Sequence, residues 1–176
     1  MRLVRKLCSA LLCVFLGSLS SSAEDSTAAA TKLLDHLAGN WVLQGTIAKK
    51  QTTHDVQATW VLNREYMQLH ETSREKNASD APAYEAIVYI SWDAKAQRYI
   101  CMWLDSTAGG GLSAEGLAHG TLAGDSIPFV FTTSASDQIH TTFGYDKSRD
   151  SWQWLIDNVE SGNSQRFADV TLTRQK

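Results

Sequence analysis

The sequence is poor in cysteine, in proline and in positive charge, and each shortage closes off a class of protein. Three cysteines occur in 176 residues, and two of them, Cys8 and Cys13, fall within the first 23. That opening, MRLVRKLCSALLCVFLGSLSSSA, places Arg2, Arg5 and Lys6 before an apolar stretch from Leu7 to Leu19 and a small-residue run from Ser20 to Ala23. This is the order of a secretory signal, with cleavage expected after Ala23. The apolar stretch is short for a membrane span, and no later segment is apolar enough to be one. Cys8 and Cys13 each follow a leucine, not the small residue expected before a lipid-modified cysteine. The reading is an exported chain, periplasmic or secreted, whose domain covers residues 24–176. Cys101 is then alone, which excludes an intramolecular disulfide and a cysteine-based zinc cluster.

Of the 16 basic residues, three belong to the signal segment, leaving 13 against 19 acids and a net charge of about −6 beyond Ala23. Nucleic acid and anionic lipid both require clustered Lys and Arg, so neither is expected as a partner. Catalytic signatures are missing too. There is no G-x-S-x-G elbow, and Gly109 to Gly111 lack the lysine and the following helix of a phosphate loop. The five histidines, His36, His54, His70, His119 and His140, include no H-x-H or H-x-x-x-H pair. His70-Glu71 starts like a zinc-protease motif but lacks its second histidine. A metal site would have to be assembled across strands, from His70, His119 or His140 with Asp105. No metal or cofactor is expected.

What is present is alternation. Ser26–Gly39 has helical spacing, with Leu33, Leu34 and Leu37 on one face and Gly39 as the stop. Beyond it, period-two patterns and β-branched or aromatic residues predict strands at Asn40–Ala48, Asp55–Val61, Tyr66–Thr72, Ala83–Trp92, Arg98–Asp105, Leu112–Leu122, Ile127–Thr133, Gln138–Tyr145, Ser151–Asp157 and Arg166–Thr173. The gaps are mostly of hairpin length, and Pro82 and Pro128 sit near strand starts, where proline is tolerated. Ten short strands linked this way predict an all-β, antiparallel up-and-down barrel with one short N-terminal helix, because closure removes aggregation-prone edges. A two-layer sandwich is the competing arrangement.

In Arg98–Asp105 alternation puts Tyr99, Cys101, Trp103 and Asp105 on one face and Ile100, Met102 and Leu104 on the other. Both faces are bulky, so the pattern leaves open which one points inward. Trp152, Trp154 and Ile156 share a face in the ninth strand. Cys101, set between Ile100 and Met102, reads as a buried inert thiol. Asp105 and Ser106 read as turn formers where the strand runs out into CMWLDSTAGGG.

The stretches LAGNWVLQGT (Leu37–Thr46), TWVLNREYMQLHE (Thr59–Glu71), YEAIVYISWDAKAQRYICMWLDS (Tyr84–Ser106) and VTLTR (Val170–Arg174) follow one another along the chain. In this order they resemble a family of exported bacterial proteins of unknown function with a lipocalin-like, calycin-type barrel, marked by a W-x-D-S strand end and a terminal T-x-T-R. Asn63-Arg64 stands where that family usually has Gly-Arg, and asparagine also tolerates left-handed turn geometry. The resemblance implies that Trp41 plugs the barrel base with Arg174 packed over it, as in related calycin barrels. It implies no reaction, because barrels of this type host transport, catalysis and structural roles alike.

Three functional readings follow. The first is non-covalent binding of a small, partly apolar molecule, with His70, Trp103, Asp105 and Trp154 as candidate binding residues. The second is an acid/base enzyme, an isomerase or hydrolase using His70 or His119 with Asp105. The third is a protein-interaction module that uses the loops at one barrel end.

Overall fold

The computed structural model describes residues 18–107 and 111–176, with side chains from Ala23 onward. Most of the expected signal segment lies outside the described residues, and helix α1 (Ser18–Asp35) runs across the expected cleavage point at Ala23. Ten strands follow: β1 (Gly39–Ile47), β2 (Lys50–Val61), β3 (Tyr66–Ser73), β4 (Glu85–Asp93), β5 (Arg98–Asp105), β6 (Leu117–Gly120), β7 (Ser126–Thr132), β8 (Asp137–Asp146), β9 (Ser151–Glu160) and β10 (Asn163–Arg174). Each pairs antiparallel with its neighbours in sequence, and β10 returns to β1 to close a barrel. The expected barrel is the observed one.

Several boundaries differ from the sequence pattern, among them those of the helix, expected at Ser26–Gly39 and found at Ser18–Asp35. The expected strand Leu112–Leu122 shrinks to β6, preceded by a 3₁₀ turn at Ala114–Gly116. Conversely, β2 begins five residues before the expected Asp55. Ala48 and Lys49, both with positive φ, make a two-residue hairpin turn that carries the polar run Lys50–His54 straight into the ladder. Asn63 takes φ 57° in the next turn, the left-handed geometry its amide side chain tolerates.

The barrel has a sealed end and an open end. Ala30, Leu33, Leu34 and Leu37 recur at helical spacing and are buried together against the barrel interior. Each buried leucine contributes about 1.5–3 kcal/mol. The indoles that reach this end are satisfied by the helix or the turn after it. Trp41 Nε1 donates to Leu37 O at 2.7 Å, Trp60 Nε1 to Asp35 Oδ1 at 2.7 Å, Trp92 Nε1 to Thr27 Oγ1 at 3.0 Å and Trp152 Nε1 to His36 O at 3.4 Å. Tyr99 adds its hydroxyl to Ala30 O at 2.9 Å. Four of the six tryptophans are therefore plugs.

Arg174 locks this end. Its guanidinium carbon lies 4.2 Å above the centre of the Trp41 ring, with Nη1 donating to Ala38 O at 3.0 Å and Nη2 to His36 O at 3.1 Å. Nε donates to Asp150. The carbonyls left over at the helix C-terminus thus find a charged donor. Gly39 makes room for it: φ is +135°, and a Cβ there would lie 2.5 Å from Arg174 Nη1.

Alternation along β5 is now resolved. Tyr99 and Cys101 are buried inside the barrel, and Ile100 and Met102 lie on its outer face. Cys101 is fully enclosed, and burial pushes its thiol well above the ordinary range.

Two outcomes test the sealed end. Gly39→Ala is expected to lower the unfolding free energy by roughly 2 kcal/mol or more, read by urea denaturation. The Asp150 carboxyl is held below its ordinary value of 3.8, first by the hydrogen bond from Arg174 and then by those of Tyr145 and the Arg174 charge. A carboxyl depressed on folding contributes stability above its unfolded value, and that contribution disappears as pH falls through the folded value. Asp150→Asn should therefore melt below the parent protein at pH 7, with the gap closing once the pH drops below 3.8.

Candidate functional site

The open end lies opposite the helix. Here β4 begins, β5 and β9 reach their ends, and β10 carries a bulge between Arg166 and Ala168. The inward positions change character along each strand. In β5 the buried Tyr99 and Cys101 give way to half-buried Trp103 and Asp105, and in β9 the buried Trp152 and Trp154 give way to Ile156 and Asn158. The result is a cavity of about 810 Å³. Trp103, Phe131, Ile139, Ile156 and Phe167 supply apolar wall, and Tyr84, Asp105, Thr141 and Asn158 supply polar groups.

Trp103 and Tyr84 form the best-defined part of the wall. Trp103 Nε1 donates to the Tyr84 hydroxyl at 3.1 Å, and the indole meets Phe131 edge-on with centroids 6.5 Å apart. The Tyr84 ring stacks on His54 at 5.7 Å. Burial raises the Tyr84 hydroxyl far above its ordinary range, the charges of Glu71 and Asp105 push it further, and the Trp103 hydrogen bond opposes them. The phenol is neutral and can donate to an acceptor.

Asp105 sits at the rim. Its Oδ1 accepts from the Thr107 backbone N–H at 2.7 Å and from Thr107 Oγ1 at 2.5 Å. Ser106 Oγ accepts from the Glu85 N–H at 3.1 Å, and the Ser106 N–H donates to Glu85 O at 2.8 Å. The Asp-Ser pair therefore ends a strand and starts a loop, as its turn chemistry predicts. Because Asp105 faces the cavity, the same carboxylate also belongs to the lining.

The four candidate binding residues separate. Trp103 and Asp105 come together in the cavity wall. Trp154 points into the barrel but lies a layer deeper, 1% exposed and 4.7 Å from Phe143, and is not part of the lining. Its Nε1 has no hydrogen-bond partner among the described residues. His70 stands on the outer face, where Nε2 contacts Glu85 Oε1 at 2.6 Å. The register of β3 puts Met67, Leu69, Glu71 and Ser73 at the buried positions, with His70 between them on the other face. In the dipeptide His70-Glu71, the acid faces in.

His119 is exposed on the outer face of β6 between buried Ala118 and Gly120, so it and His70 lie across the sheet from Asp105. His140 Nε2 contacts Gln138 Oε1 at 3.0 Å, two residues along the same strand. Among the described residues no group of three His, Cys, Asp or Glu is placed to hold a metal.

A different pair occupies the interior. His54 and Glu71 are both buried, and His54 Nδ1 is hydrogen-bonded to Glu71 Oε1. Thr52 Oγ1 lies 2.8 Å from His54 Nε2. Sequence reading missed this set because the expected strand began at Asp55, leaving His54 outside it, and Glu71 was weighed only as part of a zinc-protease motif. The available signal was parity: Thr52, His54, Val56, Ala58 and Trp60 alternate without a break once β2 is extended back to Lys50. Both ring nitrogens of His54 are engaged, and Tyr84, not His54, lines the cavity.

No protein-family model matches the chain, and no curated protein matches its sequence. Among solved structures it is similar to the crystal structure of Rv2717c from M. tuberculosis, with a TM-score of 0.54 and 14% identity. The similarity covers 84% of this chain and 98% of that one. At this identity the likeness concerns the fold alone: a ten-stranded antiparallel barrel with a solved structural neighbour.

Proposed function

We propose that this is an exported barrel of the lipocalin-like kind that holds one small, partly apolar molecule non-covalently in the cavity at its open end, without catalysis. The observation that carries the reading is the contrast between the barrel's two ends. The sealed end is filled by tryptophans that hydrogen-bond to the helix, whereas the open end keeps about 810 Å³ behind a wall of Trp103, Phe131, Ile139 and Ile156. Packed interiors have few voids larger than a water molecule. A mostly apolar recess of this volume with a few convergent polar groups is the usual form of a small-molecule site. The Trp41–Arg174 contact supports the lipocalin-like assignment. Catalysis is disfavoured because His54 offers the cavity no free ring nitrogen, its two being taken up by Thr52 and Glu71. The positive, apolar and small-residue segments before Glu24 support export.

Two measurements test this. N-phenyl-1-naphthylamine, a neutral apolar probe, is expected to gain fluorescence with saturable one-to-one binding, and Ile156→Trp, which fills the recess, should weaken that binding at least tenfold. Binding that survives the filled cavity would place the probe elsewhere and overturn the reading. Intact mass of the protein recovered from its own host should correspond to a chain starting at Glu24. A mass that includes Met1–Ala23 would remove the export proposal.

A further inference from the structure

The cavity has one sign of charge. Asp105 and Glu115 both belong to its lining, and no Lys or Arg does among the described residues. Glu71 lies just behind Tyr84 and is paired with His54, so Asp105 and Glu115 are the carboxylates left to the cavity. Two guanidinium groups at this end of the barrel are committed elsewhere. Arg74 makes a two-point contact with Asp55 at 3.0 and 2.6 Å, and Arg166 Nε meets Asp157 at 2.6 Å on the far side of the β9–β10 ladder. Asp105 uses Oδ1 for Thr107, while its Oδ2 has no hydrogen bond among the described residues. Beside these acids stand the rings of Tyr84, Trp103, Phe131 and Phe167.

We infer that the molecule held in the cavity is an organic cation, a protonated or quaternary amine on an apolar body, with its charge beside Asp105 and the aromatic wall. This rests on the binding reading above and narrows it to a ligand class. An ammonium group is attracted both by a carboxylate and by the negative faces of aromatic rings, and an apolar wall that displaces water strengthens both attractions. The same lining rejects a carboxylate ligand, since it would bring like charge to Asp105 with no base to pair with. The excess of acids over bases beyond Ala23, 19 against 13, extends this bias beyond the site and favours the approach of cations.

The inference is tested with 4-phenylbutylamine and 4-phenylbutyrate, which share one apolar body and carry opposite charges. Each is titrated against the protein loaded with the naphthylamine probe. The amine is expected to displace the probe at a concentration at least tenfold below that of the acid. Asp105→Asn keeps an oxygen to accept from Thr107, so the strand end can hold its turn, and it should cut the amine-to-acid ratio at least threefold. Glu115→Gln should cut it by a smaller factor, and the double variant should bring the ratio close to one. Because each ratio is taken within one variant, a change in cavity shape common to both ligands cancels. If the acid competes as well as the amine, or the preference outlasts the double variant, the cation inference fails while the cavity reading stands. If the neutral probe itself does not bind, both fall.

Discussion

The guanidinium of Arg174 is the point on which the architecture turns. It lies at the end of β10, directly across the ladder from Trp41 in β1, so it sits at the seam where the sheet closes on itself. From there it reaches the carbonyls of His36 and Ala38 that follow the helix, stacks on Trp41 and pairs with Asp150 between β8 and β9. One side chain therefore ties together the first strand, the last strand, the helix end and the β8–β9 connection. Arginine suits this position because its planar, permanently charged fork can stack and donate in several directions at once. Gly39 is the matching concession in the backbone, since any side chain there would occupy the space of the guanidinium.

Sealing one end has consequences for the other. With α1 and four indoles filling the base, the large side chains are spent on one half of the interior. The deeper layer of Phe129, Phe143 and Trp154 forms a packed middle, with Phe129 and Phe143 at 5.6 Å and Phe143 and Trp154 at 4.7 Å. Above it the inward residues become shorter or polar, and a recess opens. The His54–Glu71 pair lies on the β2–β3 side of this open end and the cavity on the β5–β10 side, with Tyr84 in contact with both. Tyr84 stacks on the imidazole with one face of its ring and lends its hydroxyl to Trp103. The polar pair is thereby enclosed as a hydrogen-bonded unit, which is how a buried polar pair is tolerated.

Much of the barrel was legible in the residues. The alternation of β4, β5, β7 and β8 and the hairpin-length gaps between strands led to the closed antiparallel barrel. The leucine spacing before Gly39 located the helix, and a fully buried Cys101 followed from its apolar neighbours. Of the four candidate residues, Trp103 and Asp105 share the cavity wall. His70 and Trp154 lie outside that wall for different reasons. His70 was assigned by chemistry without a face, and the register of β3 sent it outward. Trp154 faces the interior but lies deeper than the cavity, because depth along a barrel strand depends on how far the plug rises from the base.

Four properties can be read from the residues alone: the chain alternates as strands, its connections are mostly short, cysteine is scarce and acids outnumber bases. These are local or additive properties, written in spacing and counts. Only the tertiary structure decided which face of each strand is inside. A period of two defines two faces equally well, and the choice falls to whichever set of side chains fills the closed interior once all ten strands are in register. The inward turn of Glu71 beside His54, and of Asp105 beside Trp103, comes from that closure and from hydrogen bonds between residues far apart in the chain.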